Sequence, residues 1–222
     1  MLNPLSELLV DQECDHYKPG FESLEEFRKR HKLQIEKVLE ENSQLFKEGL
    51  TLLFESELWT PEEKQTLQKL IESQKEKFSS FELNKDSFPT IGAVLGFDEH
   101  FYNKGLQIAE KALDEQKVDQ AKKIFIALSQ INPLAFQFLQ GLGFALLDEG
   151  NETEALVAFL YALQVADEKE APKIALLVAN TLILLGYIKE AKETAQGIVE
   201  VIGSSEGYEK ELEMAKELLT IS

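Results

Sequence analysis

The sequence has a single cysteine, Cys14, among 222 residues. That excludes an intrachain disulfide and a multi-cysteine zinc site, and it fits a reducing cytoplasm. Basic charge is scarce as well: 23 Lys and Arg stand against 40 Asp and Glu, a net charge of -17, and the excess is shared by both halves of the chain. Such a surface repels phosphate. With no basic stripe to offset it, neither nucleic acid nor an anionic membrane is an expected partner. Long apolar runs are also missing. The longest, Ile174 to Ile188, contains Asn180 and falls short of the roughly 20 residues that a membrane-spanning helix needs, so no stable membrane insertion is expected and a helix buried within a helical stack is. No basic stretch precedes an apolar run in the first residues, and LSELL is broken by Glu7, so no secretory signal is expected.

What is present is a 44% hydrophobic composition, enough for a real core in one elongated domain or two small ones. The organising stretch is Phe136 to Ala162, FQFLQGLGFALLDEGNETEALVAFLYA. Leu139, Leu142, Gly143 and Leu146 recur at helical spacing before Gly150, and Ala155, Phe159 and Ala162 do so after it. Two short helices hinged at Gly150 follow from that pattern. Gly143 and Ala155 are the small residues that let the two backbones approach.

Upstream, residues 1 to 21 hold Pro4, Pro19 and Gly20 and predict a helical turn at most. Ser23 and Glu26 form a capping box. They open a long amphipathic helix through Phe54, with a break expected near Asn42 or Gly49. Thr60, Pro61 and Glu63 cap a second helix, Pro61 to Phe78, whose few apolar residues predict half exposure. Ser79 to Gly96, with its Ser, Asn, Pro and Gly residues, reads as the linker.

Beyond it the chain repeats itself. Ala109, Ala121, Phe125 and Leu128 return 34 residues later as Gly143, Ala155, Phe159 and Ala162, and 36 residues further on as Ala179, Ala191, Ala195 and Ile198. The turn strings QKVDQA, GNETEA and GYIKEA align, with Gln116 standing where the later copies have Gly150 and Gly186. This period, with small residues at those positions and Pro133 closing the first unit, resembles the tetratricopeptide repeat. The expected fold is all-α. Three such helical hairpins form a right-handed superhelical solenoid with a C-terminal capping helix, preceded by an N-terminal helical extension. The expected division is 1–87 for the extension and 88–222 for the repeat domain, with repeats at about 102–135, 136–171 and 172–205 and the cap at 206–222. Leu212, Ala215, Leu218 and Leu219 give the cap its apolar face.

In a stack of this kind the first, or A, helix of each hairpin lines the inner surface. The A-helix face turned from its partner offers Asn103, Leu106, Glu110 and Leu113; then Gln137, Gln140, Phe144 and Leu147; then Lys173, Leu176, Asn180, Ile183 and Leu184. This row is apolar with amide and acidic spots. It suits an extended or helical peptide with hydrophobic anchors, whose backbone the amides can bond. The alternative for Leu113, Leu147 and Ile183 is packing between repeats. Lys173 is nearly the only base in the row, so a clamp for a terminal carboxylate is not expected.

No enzyme activity, cofactor or metal is expected. Asp98, Glu99 and His100 are adjacent in sequence, so on a helix start they point in different directions; the two acids suit the N-terminus of the next helix instead. Gly141 and Gly143 resemble the start of a nucleotide-binding glycine motif, but no strand precedes them and no third glycine follows.

The run FLQGLGFALLDEGNETEALVAFLYALQVAD, after DEQKVDQAKKIFIALSQINP and FPTIGAVLGF, resembles the class II chaperones of bacterial type III secretion, the SycD, LcrH and CesD family. The resemblance covers about residues 88 to 222. It implies a cytoplasmic helical protein that holds hydrophobic translocator proteins by a short segment laid in the concave groove, with the row above as its lining. A homodimer through the N-terminal helices is a family-like expectation, and the alternative is that they fold over the groove. The family continues GLG with a small residue, whereas Phe144 follows here and changes the pocket at that point. The alternative readings are a general tetratricopeptide scaffold and a needle-subunit chaperone.

Overall fold

The computed structural model describes residues 23–79, 90–203 and 207–221. The turn expected within residues 1–21, Cys14, and the middle of the expected linker lie outside the described residues. Ten helices are described: α1 Leu24–Glu55, α2 Pro61–Ser79, α3 Ile91–Leu95, α4 Glu99–Asp114, α5 Val118–Ile131, α6 Phe136–Asp148, α7 Glu152–Val165, α8 Ala171–Leu184, α9 Ile188–Ile202 and α10 Glu209–Thr220. No strand occurs among the described residues.

Two compact units divide the chain, Met1–Glu48 and Gly49–Ser222. In the first, the described residues are the opening of α1. Its capping box forms as read: Glu26 N–H donates to Ser23 Oγ at 3.3 Å, and Ser23 N–H donates to the Glu26 carboxylate at 2.9 Å. These bonds pull the Glu26 carboxyl below its usual range, the Ser23 backbone N–H contributing most.

In the second unit α4–α5, α6–α7 and α8–α9 are three successive hairpins. From α4 to α10 each helix packs on the next, and in addition α4 meets α6 and α8 meets α10. The hinges share one device. Gln116, Gly150 and Gly186 all have positive φ, at 60°, 74° and 81°. At each, the hinge N–H bonds the carbonyl three residues back and the next N–H bonds the carbonyl five back: Gln116 to Leu113, Lys117 to Ala112; Gly150 to Leu147, Asn151 to Leu146; Gly186 to Ile183, Tyr187 to Leu182. This is the Schellman closure of a helix C-terminus, which favours glycine because a Cβ is strained there. Gln116 adopts the same conformation without that freedom.

The hairpins approach closely through glycine. A Cβ on Gly143 would lie 2.7 Å from Cδ1 and Cζ of Phe159, and one on Gly141 would lie 2.8 Å from Cδ1 of Phe125. Gly143 therefore seats α7 of its own hairpin, and Gly141 seats α5 of the preceding one. Phe159, rather than Ala155, is the side chain that Gly143 admits. Lys122 of α5 donates to both carboxylate oxygens of Glu149 at 2.7 Å and ties the first two hairpins together at the edge. The cap α10 sets Ala215 and Leu218 on Leu176, Ala179, Ala195, Ile198 and Ile202, covering the apolar flank that the last repeat would otherwise leave in water.

One sequence expectation changes. The helix expected to break near Asn42 or Gly49 is continuous: a Cβ on Gly49 would lie 2.7 Å from the Lys123 carbonyl carbon and 2.9 Å from Ala127 Cβ, so this glycine permits packing on α5 instead of interrupting α1. Within the second compact unit, Gly49–Ser222, the end of α1 and α2 lie with the hairpins. The cause is an aromatic junction that joins the end of α1 and α2 to α4. Phe97 and Phe101 stack with centroids 3.8 Å apart, and Trp59 lies 5.9 Å from Phe101. Leu53, Trp59, Leu67, Phe97 and Phe101 are all buried. Trp59 Nε1–H donates to the Leu53 carbonyl at 2.7 Å and Lys64 Nζ to the Glu55 carbonyl at 3.2 Å, satisfying acceptors at the end of α1. The expected linker also holds structure: α3 is capped by Thr90 and closed by Gly96 at φ 72°.

Candidate peptide-binding groove

The A helices are α4, α6 and α8, each placed by its hinge and by the B helix behind it. Of the predicted row, Asn103, Glu110, Gln137, Phe144, Lys173 and Leu184 are exposed, and Leu106, Leu113, Gln140, Leu147, Asn180 and Ile183 are half-buried. Leu176 is not in the row. It is 3% exposed and packs among Ala179, Ala195, Ile198 and Leu218 beneath the cap. Leu147 and Ile183 pack against core clusters while keeping part of their surface.

Phe144 is 39% exposed, a large fraction for an aromatic on a helix whose other side is core. Its ring meets buried Phe159 edge-on at 5.5 Å, so it is braced from behind and leaves an apolar face toward solvent. Leu184 is 64% exposed at the end of α8. Gln137, Gln140 and Asn180, whose amides can both donate and accept, belong to the same predicted row and keep some surface. Lys173 Nζ donates to both oxygens of Glu170, at 3.0 and 3.1 Å. The Glu170 bond, ahead of the fields of Glu211 and Tyr208, raises its pKa. A lysine held in this way is not disposed as a carboxylate clamp.

Asp98, Glu99 and His100 do not converge. Asp98 Oδ1 accepts from the Phe101 N–H at 2.9 Å and caps α4, while His100 Nε2 lies 2.7 Å from Glu63 Oε1 on α2. Glu63 is the most perturbed carboxylate described, its pKa lowered to about 2, first by the Thr60 backbone N–H and next by the His100 bond. Lys104 adds to the group, 3.7 Å from Glu63 and 5.9 Å from the centre of the Trp59 ring. These side chains bridge α2 and α4 at the surface. Among the described residues no cluster of three or more His, Cys, Asp or Glu could hold a metal ion, and no helix is long and apolar enough to cross a membrane.

No family model matches the chain, and no curated protein matches its sequence. Solved structures do match. SycD, a type III secretion translocator chaperone of Yersinia enterocolitica, aligns over 60% of this chain and 98% of its own, with 19% identity and a TM-score of 0.54. The fold of the hairpins is that of SycD. A type III secretion complex from Aeromonas hydrophila aligns over 59% of this chain and 86% of its own, at 18% identity and a TM-score of 0.54. PcrH, a protein of Pseudomonas aeruginosa, solved with the chaperone binding region of PopD, aligns over 56% and 92%, at 20% identity and a TM-score of 0.50. The fold shared with these structures fits the all-α solenoid of helical hairpins expected from the repeat. The aromatic junction was not foreseen. Its one sequence signal is the recurrence of Trp59, Phe97 and Phe101 near helix starts, and nothing local pairs Glu63 with His100 across 37 residues.

Proposed function

We propose that this protein is a cytoplasmic bacterial chaperone of a type III secretion system, one that keeps hydrophobic translocator proteins soluble by taking a segment of them along its A-helix face. The observation that carries the reading is the exposure of Phe144 and Leu184 beside Gln137, Gln140 and Asn180, on a fold shared with SycD and PcrH. Anchors of this kind contribute to binding by removing apolar surface of both partners from water. The proposed lining is the predicted row without Leu176, whose burial makes it part of the fold. Leu33 and Val38, exposed on α1, support a homodimer through this N-terminal helix. Residues 49–97 belong with the repeats in this proposal, because their buried aromatics complete the first hairpin.

The test is co-expression with the hydrophobic translocator encoded in the same genome. Wild type keeps the translocator in the soluble fraction. Phe144→Glu and Leu184→Glu lose it while retaining wild-type helical circular dichroism. Equal recovery with wild type and both variants removes the A-helix face from the mechanism.

A further inference from the structure

Nearly every described glycine has a visible reason. A Cβ on Gly49, Gly92, Gly105, Gly141, Gly143 or Gly203 would collide with a neighbouring atom, and Gly96, Gly150, Gly186 and Gly207 have positive φ. Gly197 has neither. It lies within α9, and apart from its chain neighbours and the adjoining helix backbone nothing comes within 4 Å of a Cβ placed on it. Glycine inside a helix is unfavourable relative to alanine, and one use that offsets this is close approach of the backbone to a ligand. The surroundings fit that use. Gly197 lines a cavity of about 630 Å³ with Leu163, Pro172, Ile198, Val201 and Tyr208, within the size range of built binding pockets. Val201, one turn beyond Gly197, is 74% exposed, more than any other large apolar side chain described. The cavity shares no residue with the A-helix row.

Elsewhere in this chain, the space beside a helix glycine is filled by a large apolar side chain from a neighbouring helix: Leu128 at Gly105, Phe125 at Gly141, Phe159 at Gly143. We infer that the cavity at Gly197 receives a Leu or Phe from an amphipathic helix of another protein, one whose flanking residues are basic. The charge follows from the rim. Glu168 lines the cavity within the run Asp167-Glu168-Lys169-Glu170, three acids to one base, and exposed Glu200 stands one turn beyond Gly197 on α9. Of the nearby bases on α9, Lys189 is engaged with Glu193 at 3.6 Å and Lys192 is half-buried. A second copy of this chain, with its net charge of -17, matches that rim poorly.

The probe is a short, end-capped helical peptide with Leu and Phe on one face and Lys on the other, labelled for fluorescence anisotropy against the full chain. Gly197→Leu fills the cavity and Val201→Glu makes its edge polar. Each is expected to weaken binding about tenfold or more, while Leu134→Glu, at an exposed leucine outside both the cavity and the A-helix row, leaves it unchanged. Gly197→Ala is expected to raise the melting temperature, because the added methyl meets open space. The inference is overturned if folded wild type does not bind the peptide, or if the two cavity variants bind it as well as wild type. It is equally overturned if a peptide with Ala in place of Leu and Phe binds as tightly, if Gly197→Ala lowers the melting temperature, or if sedimentation shows self-association that Val201→Glu abolishes. The outcomes of the A-helix variants are independent of all these.

Discussion

Gly143→Ala adds one methyl group, and its effect follows from where that methyl must sit. The new Cβ would lie 2.7 Å from two carbons of the Phe159 ring and nearer still to Cε1. Unstrained carbon contacts need about 3.5–4.0 Å, so the ring must retreat by about 1 Å. It has nowhere to go: Phe159 is fully buried among Leu146, Ala155, Ala158 and Val178. Overpacking of this kind costs roughly 1–3 kcal/mol, and the better helix propensity of alanine returns at most about 1 kcal/mol. The net expectation is a loss of about 1 kcal/mol, which lowers the urea midpoint by roughly 0.5 M at ordinary denaturant sensitivity. Phe159→Leu should relieve the overlap, so the double-mutant cycle should show favourable coupling of at least about 1 kcal/mol between the two changes. A Gly143→Ala variant more stable than wild type, with no coupling to residue 159, would refute the packing argument.

The other expectations concern the hinge and the junction. Gln116→Gly relaxes the left-handed hinge of the first hairpin and should stabilise by roughly 0.5–1 kcal/mol in chemical denaturation, since the strain relieved exceeds the added chain entropy. Gly150→Ala, at the equivalent position of the second hairpin, should do the reverse. Removal of residues 1–48 should leave Gly49–Ser222 cooperatively folded in calorimetry. Removal through residue 85 also takes Leu53, Trp59 and Leu67 from the junction, a loss on the order of 5 kcal/mol at about 1.5–3 kcal/mol per buried side chain. Glu63, with its lowered pKa, should support the α2–α4 contact fully above about pH 4.5 and lose that contribution as pH falls toward 2, because protonation removes the acceptor. Fluorescence of Trp59, the only tryptophan, reads this junction, and Glu63→Gln should flatten that part of the acid profile.

The hairpins were legible because their signals are local. A hinge that needs positive φ selects glycine in two of three copies, and the alignment of the turns points to Gln116 as the third even though its residue type does not. Long-range packing was less legible. Gly49 reads as a helix breaker until the Lys123 carbonyl is seen beside it. Leu176 was placed in the groove because α8 is apolar nearly all round, with Ile174, Leu176, Leu177, Val178 and Leu182, so periodicity could not choose its face. The cap α10 makes that choice by covering Leu176. The aromatic junction is hidden for a similar reason: the turn-rich stretch after Ser79 marks a loop, but Trp59 and Phe101 pack together from either side of it.

The most direct measurement is titration calorimetry of the purified protein with the translocator's chaperone-binding segment, comparing wild type with Phe144→Glu and Leu184→Glu. The account predicts a single-site complex with a negative heat-capacity change from apolar burial, weakened about tenfold or more by either substitution without loss of fold. Binding of equal strength by all three proteins would contradict it.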